Sequence, residues 1–297
     1  MEYLSLNKYL RNTYGRKLYK ISIDGGFTCP NRDGKIDTRG CIFCSNEGSG
    51  DFAPCKELSI SEQIEEGKKR IINKMPANVS HKESFIAYFQ AYTNTYADVS
   101  YLRKAYYEAV NNDDIAILSI ATRPDCLGED VLCLLDEINK IKPVWVELGL
   151  QSIHDKSAKY IRRGYDLHVY DEAVINLKKI NINVITHVII GLPFESKEDI
   201  IETVKYVGDS GSDGIKLQLL HVLEGTDLSV DYRNGLFKCL EMDEYIDIIC
   251  ECLKVLPQNM VIHRLTGDGN KKTLIAPLWS ADKKRVLNAL NKAIADL

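Results

Sequence analysis

The sequence predicts an α/β protein built on one parallel sheet, and three observations support this. First, six β-branched or aromatic runs are almost continuously apolar, as strands buried on both faces should be. They are "LYKISID" (18–24), "SFIAYFQ" (84–90), "IAILSIA" (115–121), "VWVELGL" (144–150), "NVITHVII" (183–190) and "GIKLQLLH" (214–221). Second, amphipathic helical text separates these runs, so strand and helix alternate. Third, no repeat, low-complexity segment or Pro/Ser linker interrupts the series. Serial βα units require right-handed crossovers between parallel neighbours. The result is a doubly wound sheet or an incomplete β/α barrel, and in both the chemistry gathers at the C-terminal ends of the strands.

The helices announce their starts. "SISEQIEEGKKRIINKM" (59–75) sets Ser59 and Glu62 at capping-box spacing and brings Ile60, Ile64, Ile71 and Met75 near one stripe. "DVSYLRKAYYEAV" (98–110) offers Asp98 as N-cap ahead of Val99, Leu102, Tyr106 and Ala109. "DLHVYDEAVINLKKI" (166–180) and "SKEDIIETVKYVGDSG" (196–211) follow the same logic, the second closing at a glycine.

With 297 residues, 45% hydrophobic and 27% charged, the chain has a globular composition and enough length for one sizeable core or two small ones. No apolar run reaches the ~18–20 residues that cross a bilayer. The N-terminus lacks the order of a secretory signal. A cytoplasmic protein without a membrane partner is expected. Nine cysteines, an odd number without an export signal, argue against a disulfide framework. Cys126, Cys133, Cys239, Cys250 and Cys252 lie in apolar or helix-like text and are expected to be small buried hydrophobes. The net charge of −4 argues against non-specific nucleic-acid binding. Residues 1–45, however, hold eight basic and four acidic side chains, so this end either receives a polyanion or forms a solvated arm.

The loop "CPNRDGKIDTRGCIFCSNEGSG" (29–50) follows the first strand and spaces Cys29, Cys41 and Cys44 as C-x11-C-x2-C. Structural zinc takes four closed ligands, for which Cys55 or a histidine would have to complete the set. A cubane [4Fe–4S] cluster also normally takes four thiolates, and with three it keeps one iron open for a substrate. Purely structural cysteines are the third reading. Arg32, Lys35 and Arg39 within the gap suit an anionic substrate.

The strand ends supply further candidates. Gln90 ends the second strand and shares a face with Tyr88 and Tyr92. Thr122, Arg123 and Asp125 end the third, where Pro124 stops the ladder; a capped turn is the plain alternative. Glu147, Gly149 and Gln151 share one face of the fourth strand, and an acid inside a buried strand needs a partner, which an internal salt bridge would also provide. Arg162 and Arg163 precede Gly164, and arginine forks suit carboxylates. Gly191 and Pro193 end the fifth strand in a stiff, closely approachable turn. His187 reads as a structural strand histidine, whereas His221 ends the sixth strand at the functional side. "HRLTGDGN" (263–270) is a turn or part of a substrate entrance.

Together these features resemble the radical S-adenosylmethionine (SAM) superfamily. The resemblance rests on the three-cysteine loop with Phe43 before its last cysteine, "YFQAYTNTYA" (88–97), "IATRPDCL" (120–127), "VELGLQSIHD" (146–155), "IRRGY" (161–165) and "HVIIGLPFES" (187–196). It is nearest the branch holding the radical domain of the elongator catalytic subunit, and within that branch the small YhcC/YtqA-like (MnmL-like) group. Two departures stand out: the long first gap, and Gln90-Ala91-Tyr92 where Gly-Gly-Glu is usual.

The resemblance implies a partial (β/α)6 TIM-type barrel over 17–265, with a basic arm at 1–16 and a helical extension at 266–297. It implies an enzyme whose [4Fe–4S] cluster is held by Cys29, Cys41 and Cys44 and which cleaves SAM to a 5′-deoxyadenosyl radical. Phe43, Gln90, Tyr92, Thr122, Arg123, Asp125, Glu147, Gln151, Arg163, Gly191, Pro193 and His221 would form the cofactor site. In it Arg163 would meet the SAM carboxylate, Glu147 or Gln151 would bond SAM or support Arg123, and Gly191 with Pro193 would wall the adenine. Cys55 and Cys126 are candidates to quench a product radical. The implied substrate is the wobble uridine of tRNA, taken from 5-carboxymethylaminomethyluridine towards 5-aminomethyluridine, with a flavodoxin- or ferredoxin-type electron donor. A small metabolite or peptide substrate, or a non-catalytic zinc protein binding nucleic acid, are the alternatives.

Overall fold

The six apolar runs become neighbouring strands in chain order. In the computed structural model, which describes residues 1–45, 48, 57–76, 80–267 and 269–297, they are β2 (Tyr19–Ile23), β3 (Phe85–Phe89), β4 (Ile115–Thr122), β5 (Val144–Gln151), β6 (Asn183–Ile190) and β7 (Gly214–Leu219). Two further strands, β1 (Leu4–Ser5) and β9 (Val261–Arg264), extend the sheet beyond β7. The eight-stranded order is β1-β9-β7-β6-β5-β4-β3-β2, and every pair is parallel. The order never reverses between β2 and β7, so the sheet has no switch point and curls as a half-barrel instead of winding in both directions. A small antiparallel pair, β8 (Val222–Leu223) with β10 (Leu274–Ala276), stands apart.

The helices are α1 (Leu6–Tyr14), α2 (Ile60–Ile71), α3 (Val99–Val110), α4 (Glu129–Asn139), α5 (Asp155–Tyr160), α6 (Leu167–Lys179), α7 (Lys197–Asp209), α8 (Asp227–Arg233), α9 (Met242–Val255) and α10 (Lys283–Ala295). Reciprocal capping boxes start α2 at Ser59/Glu62 and α7 at Ser196/Asp199. Asp98 occupies the N-cap of α3 without a capping side-chain hydrogen bond, so the residue marks the boundary but does not cap it. Cys250 and Cys252 are buried in α9, but Cys133 is exposed and Cys126 and Cys239 are half-buried. Cys133 faces solvent because α4 buries Val131, Leu134, Leu135 and Ile138, a stripe that excludes it.

Alternation along each strand separates two environments. Outward residues such as Ile21, Phe85, Leu118 and Val146 pack with Ile64, Leu102 and Tyr106 in the main core. Inward residues form layers. At the N-terminal end Ile86, Trp145 and Ile185 meet Leu10 of α1, with Tyr9 and Trp145 rings 6.2 Å apart, so α1 plugs the barrel floor. Burying each such aliphatic side chain stabilises the fold by about 1.5–3 kcal/mol. Above that plug the interior turns polar. Among the described residues no helix is long and apolar enough to cross a membrane.

Candidate cluster and cofactor site

The polar interior is one cavity of about 760 Å³, lined from the cysteine loop down to β9. Cys29, Cys41, Cys44, Phe43, Gln90, Tyr92, Thr122, Arg123, Glu147, Gln151, Arg163 and His221 all line it. Strand register explains why residues spread over some 190 positions converge, since all but Glu147, which lies mid-strand in β5, end or follow a parallel strand at the same rim.

The long gap between Cys29 and Cys41 is a folded loop. Arg32 N donates to Cys29 O at 2.8 Å, Ile36 N to Pro30 O at 2.8 Å and Gly40 N to Asn31 O at 2.7 Å. Gly40 has φ +76°, and a Cβ there would lie 2.8 Å from Arg32 Nε, so glycine permits the close return. Asn31 is fully buried; its Nδ2 donates to Arg162 O at 2.7 Å and to Cys41 Sγ at 3.4 Å. Arg32 Nη2 donates to the carbonyls of Cys44 (3.1 Å) and Ser45 (2.6 Å), so this guanidinium braces the loop instead of projecting as a docking charge. Arg39 is exposed and pairs with Asp227 at 3.9 Å. Burial, then the neighbouring Cys44 and Cys29 offset by Arg123, push the Cys41 thiol up to about 12: the three sulfurs share one field. Cys55 lies outside the described residues.

Around the thiols sits a ring of arginine and amide groups. Asp125 does not line the cavity; it holds Arg123 as a fork, with Nε–Oδ1 2.9 Å and Nη2–Oδ2 2.7 Å. The Arg123 and Arg163 guanidinium carbons lie 5.2 and 4.7 Å from the Tyr165 ring centroid. Arg163 is 2% exposed; its Nε donates to Tyr165 O at 3.0 Å and its Nη1 to Ser152 O at 2.6 Å. Its Nη2, like Gln151 Oε1, is buried with no hydrogen-bond partner among the described residues. Three thiols beside one unpartnered guanidinium nitrogen and one unpartnered amide oxygen fit a thiolate-ligated cluster with a charged, polar ligand next to it.

Three expectations receive a different geometry. Gly191 and Pro193 are not among the described lining residues: Gly191, at φ +89°, packs towards Leu240, where a Cβ would be 2.9 Å from Cδ1, so the turn serves the strand-to-helix connection. Glu147 does not support Arg123, a task that falls to Asp125. Cys126 is absent from the described lining, and burial followed by Asp125 pushes its thiol up to about 12.

Glu147 is instead the centre of a buried layer that sequence reasoning largely missed. Its Oε1 accepts from Lys20 Nζ at 2.6 Å and Ser119 Oγ at 2.8 Å, and its Oε2 from His187 Nε2 at 2.8 Å and from Lys216 Nζ. The two lysines hold this carboxyl well below its ordinary range despite complete burial. Burial and Lys216 pull the His187 imidazole down to about 4, so it is neutral near pH 7. Lys20 and Lys216 carried the same signal that singled out Glu147, a charge at an inward position of an apolar run. His263 and Arg264, which open the stretch read as a turn or part of a substrate entrance, also line the cavity, but from β9, a strand whose pattern gave no warning.

Residues 38–207 match the radical SAM superfamily profile and residues 212–296 the Radical_SAM C-terminal domain; the first match includes Cys41 and Cys44 and begins after Cys29. YtqA of Bacillus subtilis (strain 168) is 43% identical over 292 residues, covering 98% of this chain and 89% of YtqA. YhcC of Escherichia coli (strain K12) is 36% identical over 275 residues, covering 92% and 86%. The tRNA uridine(34) acetyltransferase of Methanocaldococcus jannaschii is 27% identical over 154 residues, 51% of this chain and 28% of that protein. In fold, the chain is similar to the archaeal Methanocaldococcus infernus Elp3, with a TM-score of 0.66 at 19% identity over 87% of this chain and 58% of the other. The superfamily profile spans more than half of the chain and meets the three-thiol loop on a half-barrel: the chain belongs to the radical SAM superfamily, enzymes that use a [4Fe–4S] cluster and S-adenosylmethionine.

Proposed function

We propose that this enzyme modifies the wobble uridine of tRNA, acting on 5-carboxymethylaminomethyluridine towards 5-aminomethyluridine. The observation behind this reading is the alignment of half the chain with the tRNA uridine(34) acetyltransferase, a protein whose name specifies the wobble position. The cavity agrees with an anionic substrate: besides Arg32, which braces the loop, and Arg123, which Asp125 pairs, its described lining holds Lys20, Lys74, Arg163, Lys216 and Arg264 against one carboxylate, Glu147.

In this reading Cys29, Cys41 and Cys44 hold the cluster, and with no fourth cysteine beside them among the described residues one iron is left for SAM. When bound, the cluster and SAM would supply hydrogen-atom abstraction at the glycine-type methylene of the substituent; loss of one further electron back to the cluster and addition of water would break the C–N bond, releasing the carboxymethyl carbons as glyoxylate and leaving the amine on the uridine. The protein's own part is to hold and exclude. Arg163 Nη2 is the donor available to the SAM carboxylate and Gln151 Oε1 the acceptor available to its amine, with Gln90 also in the cavity lining. Asp125 fixes Arg123 at the thiols, and α1 seals the barrel floor from water. A flavodoxin- or ferredoxin-type protein supplies the electron.

The test is nucleoside mass spectrometry of tRNA from a strain lacking the gene. Accumulation of 5-carboxymethylaminomethyluridine with loss of 5-aminomethyl products supports the reading. Unchanged wobble uridines contradict it and favour a small-metabolite or peptide substrate.

A further inference from the structure

Below the thiols, two ammonium groups share one carboxylate. Lys20 Nζ sits on Glu147 Oε1 at 2.6 Å and Lys216 Nζ on Oε2, and both ammoniums lie over the Tyr88 ring, 4.3 and 4.6 Å from its centroid. The Lys20 and Lys216 side chains are only 24% and 6% exposed, and that of Glu147 is 0% exposed. Ser119 and His187 fill the remaining acceptor positions of Glu147, so this carboxylate is saturated and has nothing left to offer a ligand. No other Asp or Glu is among the described lining residues. Two amines thus share one saturated carboxylate where water screens poorly, and burial, opposed by Glu147 but reinforced by Lys20, pulls the Lys216 ammonium well below its ordinary range, as expected where a counter-ion is lacking. A second carboxylate beside the two lysines would complete the set. The cavity runs without a break from this layer to the cysteine loop, so one occupant can reach both.

We propose that Lys20 and Lys216 form the subsite for a carboxylate carried by the substrate. On the proposed function, on which this inference rests, that group is the carboxylate ending the carboxymethylaminomethyl substituent. It is fixed at the barrel interior while the methylene next to it faces the cofactor side. Glu147 and Tyr88 position the two ammoniums; His187, neutral, supports Glu147 without adding charge.

The experiment uses the reconstituted holoenzyme and two anticodon stem-loops, identical except that one carries the substituent as a carboxylate and the other as its carboxamide. Because both keep every phosphate, a preference between them reports the carboxylate alone. Wild type is expected to favour the carboxylate by about 10- to 100-fold in kcat/KM, the scale of a charge-assisted hydrogen bond. Lys20→Met and Lys216→Met should bring the preference close to one, and Lys20→Arg should restore it; iron content and thermal midpoint exclude misfolded samples. If both Met variants keep the preference, or wild type has none, the subsite is wrong while the tRNA reading stands. If wild type turns over neither stem-loop, the tRNA reading fails. The subsite is then decided by calorimetric titration of N-methylglycine against N-methylglycinamide. Carboxylate-selective binding that disappears in Lys20→Met supports it, and equal or absent binding of the two probes overturns it.

Discussion

Lys20 and Glu147 stand 127 positions apart in the chain and 2.6 Å apart inside the barrel. With Lys216 on the other oxygen, Glu147 ties β2, β5 and β7 together across the curved sheet. Glu147→Gln removes the counter-charge of two lysines at once. Loss of about 3–5 kcal/mol of stability is expected, the usual cost of breaking a buried pair. Adding Lys216→Met should recover part of this. Urea unfolding of the single and double variants checks both; a single variant within 1 kcal/mol of wild type would show that the layer is not a structural tie.

His187 makes the layer pH-sensitive. Burial first, and Lys216 second, depress its pKa from 6.5 to about 4. The unfolded chain therefore takes up a proton near pH 6.5, and the native state takes it up only near pH 4. This contribution is fully present above pH 6.5 and is lost as pH falls to about 4, amounting to about 3 kcal/mol. His187→Gln should flatten the stability–pH curve over that window by about one proton, leaving the share of His263, which is held down by the same burial. A variant whose curve parallels wild type contradicts this.

Asn31 joins the cysteine loop to the turn before Gly164 through Arg162 O and Cys41 Sγ. Asn31→Ala removes the amide donor from the half-buried Arg162 carbonyl, at about 1–3 kcal/mol. It also removes a donor from one sulfur, so lower iron retention under oxygen and a more negative cluster potential should follow. Iron assay and potentiometry read these; unchanged values would mean that Asn31 only fills space.

How far these features were legible depended on whether their signal was local. β2 to β7 were readable because each is a continuous apolar run, and the capping boxes at Ser59 and Ser196 marked two helix starts. β1, two residues long, and β9, which mixes Val261 and Ile262 with His263 and Arg264, carry too little pattern to distinguish from loop. The rim residues Gln90, Arg123, Gln151 and Arg163 were legible because strand ends define the functional face. The Glu147 layer was not: Lys20 and Lys216 meet only once the sheet curls, and curvature has no signature in either strand alone. Gly191 and Pro193 could not be placed from sequence for the converse reason: the same Gly-x-Pro turn serves a wall or a plain connection, and neither residue is in the described lining.

Arg163→Lys tests the rim. A lysine cannot reproduce the Nε bond to Tyr165 O and the Nη1 bond to Ser152 O while presenting Nη2 to the cavity. SAM affinity should fall at least about tenfold, the loss of one charge-assisted contact. Equilibrium dialysis with SAM measures this, and wild-type affinity would remove Arg163 from the cofactor site.

The central claim, that Cys29, Cys41 and Cys44 together hold the catalytic cluster, has one direct measurement. After anaerobic reconstitution, 5′-deoxyadenosine is quantified from SAM and reductant for single alanine variants of these three and of Cys126 and Cys250. The account predicts no product and no visible cluster absorbance in each of the three loop variants, with product retained in Cys126→Ala and Cys250→Ala. Product formation by any one of the three loop variants at a rate near wild type would contradict it.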